Sequence, residues 1–304
     1  AGFGAISFKE ASNAQLAHVS KLALYEARNV DHRFAIMADT NTRALSSVPP
    51  KKQAIAEKAR RKISDIIMAK NRWTLTLFPT AAYAQDAEMS LEEFEDFVYG
   101  TVFADKKDPV AEWKKVAKFQ DRLIRRLRRV DEVRIIGPDT DLRMSVKGRI
   151  WKNSDGRYNM PSGEIFTGPI ENTAEGYIRY TYPVCYRGKE VDDVRLVFKK
   201  GKVVEASAAK NNSLLQTMID VDPGARRLGE LGIGTNYGIK KFIKNILFDE
   251  KIGGSIHLAL GMSYKETGGK NRSALHWDMI KDLRQGGKIL VDGKPLQKGG
   301  KFLI

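Results

Sequence analysis

The hydrophobic period of this 304-residue chain changes near residue 130, and that change limits what it can fold into more than any other feature. Before it, apolar residues recur every three or four positions, as amphipathic helices require; after it they alternate, as half-buried strands do. In the first part, Ala14 to Ala27 has helix-compatible composition, and Phe34 to Ala38 reads as a short buried strand. Pro49-Pro50 opens a basic helix to about Lys70, with Ile55, Ala59, Ile63 and Ile67 as one apolar stripe. Trp73 to Phe78 alternates and ends at Pro79, so it reads as a strand. Ser90-Leu91-Glu92-Glu93 is a capping box whose helix runs through Phe94 and Phe97 to Gly100. A further helix spans about Pro109 to Arg129, burying Val110, Trp113, Val116, Phe119, Leu123, Ile124 and Leu127 and turning Arg122, Arg125, Arg126, Arg128 and Arg129 to solvent.

From Asp131 short strands are expected at Val133–Ile136, Asp141–Val146 and Ile150–Trp151, then at Tyr177–Tyr186 and Val194–Phe198. Lys200-Gly201-Lys202 turns the chain into Val203–Ala206. Helices are expected over Ser213–Ile219 and from Gly238 to about Phe248, the latter with Ile239, Phe242, Ile243, Ile246 and Leu247 on one face. Strands around His257 and His276 follow, and a hairpin of Lys288–Val291 with Lys301–Ile304, turning at Asp292-Gly293, closes the chain. The expected fold class is therefore α/β and α+β in two domains. An α/β N-terminal domain would cover 1–135, and a β-rich, mixed-sheet C-terminal domain carrying the chemistry would cover 136–304.

Composition narrows the function classes. Hydrophobic residues make up 42% and charged residues 29%, a globular balance. No apolar run reaches the roughly 20 residues that span a bilayer. A single cysteine, Cys185, excludes an internal disulfide and fits a reducing compartment, so a cytoplasmic location is expected. The net charge of +15 is compatible with nucleic-acid binding, but it is spread along the chain and no nucleic-acid motif accompanies it. A lysine-rich solvated surface accounts for it better, and nucleic acid is not an expected partner.

Chemistry concentrates in the second half. The chain has four histidines, and two of them, His257 and His276, lie within one short stretch. Asp278 follows His276 by two positions, so on a strand both project to one face while Trp277 faces away. His257 is flanked by Ile256 and Leu258, the way a buried strand presents one polar group. Glu164 follows Ser162-Gly163 in a Pro- and Gly-bounded turn, and Glu230 lies among Gly229, Gly232 and Gly234. Each of these has a bland explanation: an exposed turn carboxylate or a hydrogen-bonded core histidine. Together they offer oxygen and nitrogen ligands for first-row divalent metals such as Zn, Co or Mn, with Mg also compatible, and enough of them for two ions sharing a carboxylate. Other chemistries are poorly served. Neither a Gly-x-Gly-x-x-Gly order nor a phosphate loop occurs, and His-Glu-x-x-His and Gly-x-Ser-x-Gly are absent. Cys185, within Tyr182-Pro183-Val184-Cys185-Tyr186, reads as a buried strand position rather than a nucleophile.

Four ordered segments resemble the thermophilic-type metalloaminopeptidase family: Met160 to Thr167, Gly229 to Asn236, His257 to Gly261 and His276 to Met279. The resemblance is strongest over 158–285 and continues more weakly through Ser90–Gly100 and Asp108–Trp113. It implies a two-domain, dimeric exopeptidase acting on peptide substrates with a co-catalytic pair of divalent metals. Glu164, Glu230, His257, Tyr264, His276 and Asp278 fall where the family has its metal ligands; Tyr264 enters only through the resemblance. Glu250 is a further carboxylate near the site, taken as a general base or an additional ligand. Family members carry more chain before the segment matching residues 1–30, so the first domain is expected to be incomplete. The alternatives are a basic nucleic-acid-binding protein with a structural His/Asp cluster, and a metal hydrolase of another bond such as a phosphoester.

Overall fold

The architecture is seen in a computed structural model describing residues 3–70, 72–186 and 188–303. Helices dominate its first part: α1 (Phe3–Glu10), α2 (Asn13–Ala17) and α3 (Lys21–Asn29) precede β1 (Arg33–Met37), α4 (Pro50–Ala69) and β2 (Trp73–Leu77). Next come α5 (Ala81–Asp86), α6 (Leu91–Thr101) and α7 (Pro109–Leu127). Strands then take over with β3 (Glu132–Gly137), β4 (Thr140–Ser145), β5 (Lys152–Ser154), β6 (Asn159–Met160), β7 (Glu164–Thr167) and β8 (Glu175–Arg179). β9 (Val184–Tyr186), β10 (Lys189–Val191), β11 (Arg195–Lys199) and β12 (Lys202–Ser207) lead to α8 (Asn212–Ile219) and β13 (Leu228–Gly234). α9 (Ile246–Asp249), β14 (Ser255–Gly261), β15 (His276–Asp282), β16 (Lys288–Val291), β17 (Lys294–Lys298) and β18 (Lys301–Phe302) follow. The period change near 130 is thus the passage from α7 to β3.

Two compact units divide the chain: Ala1–Glu95 with Arg157–Met160 and Arg187–Lys189, and the remainder from Asp96 on. Composition places a boundary at 130–140 instead. α7 clusters with the second unit because Leu123 and Leu127, both buried, belong to that unit's core.

The first unit holds a three-stranded parallel sheet, β1-β2-β6, with α4 as the crossover between β1 and β2. Ile55, Ala59, Ile63 and Ile67 are half-buried along α4, as their spacing requires. The helix expected over Ala14–Ala27 is split: Ser20 caps α3 by accepting from the Ala23 N–H, and the chain is extended at His18. β1 is a strand, but not a buried one. It is the edge of its sheet, and Phe34 and Ile36 are 73% and 64% exposed.

The second unit is built on two antiparallel sheets sharing one core. One has eight strands in the order β12-β11-β8-β4-β3-β16-β17-β18, the other five in the order β15-β14-β13-β7-β5. Val133, Ile135, Leu142, Ile178 and Leu196 from the first and Ile165, Leu231, Ile233, Leu258 and Met279 from the second fall in the same buried cluster. Four local expectations are corrected here. Ile150–Trp151 is not a strand; the strand begins at Lys152. Tyr177–Tyr186 is interrupted ahead of Pro183, giving β8 and β9, and Cys185 is exposed on β9 rather than buried. The turn at Asp292-Gly293 joins β16 to β17, not to Lys301–Ile304; Ile304 itself lies outside the described residues.

The fourth correction is the helix expected over 238–248, of which only α9 forms. Of the expected face, Ile239, Ile243 and Leu247 are buried, but by a loop, while Phe242 is half-buried and Ile246 is exposed. Lys244 has φ +60°, which no α-helix accommodates. The buried Asp249 carboxylate accepts the N–H groups of Ile243 (2.8 Å) and Asn245 (2.7 Å), bonds that replace the helical ladder.

Candidate metal centre

Four adjacent strands of the five-stranded sheet carry the candidate residues. Glu164 opens β7, Glu230 is on β13, His257 on β14, and His276 and Asp278 on β15. Glu164 and Glu230 are therefore strand residues, not the turn residues their glycine-rich surroundings suggest. Register places all five on one face. Gly234 pairs with Glu164, Gly232 with His257, Ala259 with both Glu230 and Asp278, and Gly261 with His276. Residues directly opposite each other share a face, as do residues two apart on a strand. The opposite face holds Leu231, Ile233, Ile256, Leu258, Leu260 and Met279, which enter the core.

Glu230 reaches this face through an irregularity. Leu228 pairs with Leu260, yet Glu230 pairs with Ala259, so Gly229 is an extra residue in β13. Without that bulge, Glu230 would face the core with Leu228. The small residues opposite the donors leave room for them. A Cβ on Gly232 would lie 1.9 Å from Cε1 of His257, so the imidazole occupies the space a side chain there would fill.

The donors converge. His257 Nε2 lies 3.2 Å from Glu164 Oε2 and 3.5 Å from Glu230 Oε1; His276 Nε2 lies 3.4 Å from Glu230 Oε2 and 3.4 Å from Asp278 Oδ2. Two ligand atoms bound to a tetrahedral zinc at 2.0–2.1 Å stand about 3.4 Å apart, the same separation. Glu164, Glu230 and His257 form one donor group and Glu230, His276 and Asp278 another, with Glu230 common to both. Glu250 forms a third group with His257 and Asp278. His257 Nδ1 lies 2.9 Å from the Glu250 carbonyl and His276 Nδ1 2.9 Å from the Met262 carbonyl. A carbonyl only accepts, so each Nδ1 must carry the proton and each Nε2 of a neutral ring turns its lone pair to the centre. Glu164 Oε2, His257 Nε2 and Asp278 Oδ1 are buried without an aligned hydrogen-bond partner. Such atoms fit a cation better than they fit one another.

Electrostatics follow from packing four carboxylates into a buried site. Burial pushes Glu164 up to about 7, opposed by Lys251 and reinforced by Glu250. Burial raises Glu230 too, against the contact with His257. Burial alone would depress His257, but Glu230 and Glu164 outweigh it and push the imidazole up to about 10. His276 is raised in the same way, by Asp278 and Glu230. Tyr264 begins the turn after β14, its ring 5.2 Å from that of His276 and 5.8 Å from that of Phe166. Burial, with the charges of Glu230 and Asp278, holds its phenol well above the usual range. Lys251 is the participant that sequence reasoning passed over. Fully buried, its Nζ donates to the Glu250 carboxylate and lies 3.6 Å from Glu164 Oε1. Nothing in the local sequence Asp249-Glu250-Lys251-Ile252 could have flagged it.

Residues 2–302 match the family described as thermophilic metalloprotease (M29). Aminopeptidase 2 of Geobacillus stearothermophilus is 30% identical, the match covering 86% of this chain and 74% of that protein. Aminopeptidase T of Thermus thermophilus is 27% identical over 88% of this chain and 76% of its own length. The solved structure of wild-type AmpT from Thermus thermophilus superposes with a TM-score of 0.85 at 23% identity, over 99% of this chain and 85% of that one, so the two share a fold.

Proposed function

The chain belongs to the thermophilic metalloprotease (M29) family, and from that premise we infer that it is a metal-dependent aminopeptidase, releasing N-terminal residues from peptides. The observation that carries the reading is the pair of donor triads sharing Glu230 on one face of the sheet. Two divalent ions, Zn, Co or Mn with Mg as a further candidate, are the occupants we assign to them. Glu164 and His257 would hold one ion and His276 and Asp278 the other, with Glu230 available to both because its two oxygens face different histidines. Tyr264, beside His276, is assigned as a further ligand.

Bound there, divalent ions supply Lewis-acid polarisation of the scissile carbonyl and acidify a water toward neutral pH. The chain's own residues do the rest. Glu250 is assigned as the general base: it takes the proton of the attacking water and returns it to the leaving amine nitrogen. Lys251 holds that carboxylate in place. With two divalent ions bound, Glu164, Glu230, Glu250 and Asp278 would be balanced by the ions and Lys251, so the substrate's free α-amino group would meet a metal ion or one of these carboxylates, which favours cleavage at the chain end. Leucine-like N-terminal residues and a homodimeric state complete the reading.

The test is hydrolysis of leucyl-p-nitroanilide with added Zn, Co or Mn, alongside metal content by elemental analysis. Turnover with close to two ions per chain is the expected result. No turnover together with no bound metal would overturn the reading, and metal without peptide turnover would favour a hydrolase of another bond.

A further inference from the structure

A cavity of about 240 Å³ adjoins the donor cluster and includes His276 and Asp278 in its wall. The remaining wall is largely apolar. Val184 and Tyr186 come from β9, Phe242 and Ile246 from the 238–249 loop, and Ile280 from β15. Ile280 stands two residues beyond Asp278 and opposite His257 in register, so it shares the face of the donors. Phe242 lies flat on Tyr182, their ring centroids 4.6 Å apart and their planes 1° from parallel, while Tyr186 rests 5.6 Å from the Trp277 ring. Two charged residues also line the space. Asp249 spends its carboxylate on backbone N–H groups of the loop, and Lys244 places its ammonium 3.8 Å from Glu190.

We propose that this cavity receives the side chain of the substrate's N-terminal residue and so decides which residue is released. The assignment rests on the aminopeptidase reading above. A substrate whose scissile carbonyl is at the donor cluster has its first side chain one bond from the reacting carbon's neighbour, so a recess sharing His276 and Asp278 is where that side chain must go. Aliphatic and aromatic side chains lose water-exposed apolar surface there, worth about 25 cal/mol per Å². A basic side chain would meet the Lys244 ammonium and is disfavoured, less than by a bare charge because Glu190 lies 3.8 Å from that ammonium. Ile246 is the residue best placed to set the size limit: it lines the cavity yet is 46% exposed, so its side chain can be changed without opening the core.

The experiment measures kcat/KM of the metal-loaded enzyme on the p-nitroanilides of alanine, leucine, phenylalanine and arginine. Wild type is compared with Ile246→Trp, Ile246→Ala and Lys244→Gln, with metal content and melting curves taken on each. Ile246→Trp should lower the leucine-to-alanine ratio about tenfold or more, the scale on which a pocket reads one or two methylenes. Ile246→Ala should move the phenylalanine-to-leucine ratio the other way, and Lys244→Gln should raise the arginine-to-leucine ratio severalfold. Ratios unchanged in both Ile246 variants, with rates altered uniformly or not at all, overturn the assignment. Wild type that binds metal but cleaves none of the four substrates overturns the aminopeptidase reading, and the assignment falls with it.

Discussion

At the scale of single residues, the site depends as much on missing side chains as on those present. Gly232 leaves the space that the His257 ring fills, and its backbone is fixed between β14 and β7 in the middle of a sheet. Gly232→Ala should therefore turn the imidazole away and weaken metal binding about 10- to 100-fold, the usual scale for a misplaced ligand. Titration calorimetry with zinc checks this, and affinity equal to wild type would refute the account. Residue-level legibility was uneven for the same reason. His276 and Asp278 were readable because strand alternation alone puts both on one face. His257 was readable as a polar group in an apolar strand. Glu230 was readable as a lone carboxylate among glycines, but not as a strand residue on the donor face, since strict alternation from Leu228 sends it to the core. Lys251 was missed because nothing local says that a lysine beside Glu250 points inward; its burial is set by Glu164, on a strand distant in sequence.

At the scale of elements, the capping box at Ser90 and Glu93 formed as its sequence dictates, with the Ser90 N–H donating to Glu93 Oε2 at 2.9 Å and the Glu93 N–H to Ser90 Oγ at 3.1 Å. The 238–249 segment did not follow its pattern. An apolar period of three and four says which residues are buried, and a loop wrapped around an internal carboxylate can satisfy it as well as a helix. Burial holds the Asp249 carboxyl well above its usual range, although two backbone N–H groups pull the other way. Asp249→Ala leaves those two N–H groups without an acceptor, at about 1–3 kcal/mol for each buried group. The expected result is a stability loss of about 2 kcal/mol or more, with faster amide exchange confined to the loop. Asp249→Asn, which keeps an acceptor and the shape, should cost less. Denaturant unfolding of both variants decides it, and equal losses would count against the carboxylate's role in the loop.

At the scale of the molecule, the metal-free fold holds protons that the metal-loaded one must give up. Glu164 is raised from 4.5 to about 7 and His257 from 6.5 to about 10. A group whose folded pKa exceeds its unfolded value stabilises the fold below the unfolded pKa and loses that contribution as pH rises through the folded one. Chelated protein should therefore melt at a progressively lower temperature between about pH 6 and about pH 9 on account of these groups. Saturating divalent metal should reverse the trend, because deprotonated ligands bind it better as pH rises. Parallel melting curves with and without chelator read both signs; a chelated protein that grows more stable with pH would contradict the first. The fold class was legible from the period change near residue 130. The grouping of α7 with the second unit was not, because composition does not record which core a helix joins. Among the described residues, no helix is long and apolar enough to cross a membrane.

The bulge at Gly229 gives chain length an unusual meaning in β13. Elsewhere in a protein, deleting a glycine shortens a connection. Here it would remove the unpaired residue of the bulge, leaving Leu228 opposite Leu260 and Glu230 opposite Ala259, each on the face it already holds. Cutting a paired residue of the same strand is harsher, because no spare position absorbs the loss and the side chains beyond the cut exchange faces. The even positions of β13 change face at Gly229, Leu228 to the core and Glu230 to the donors, so the glycine is where two alternations join.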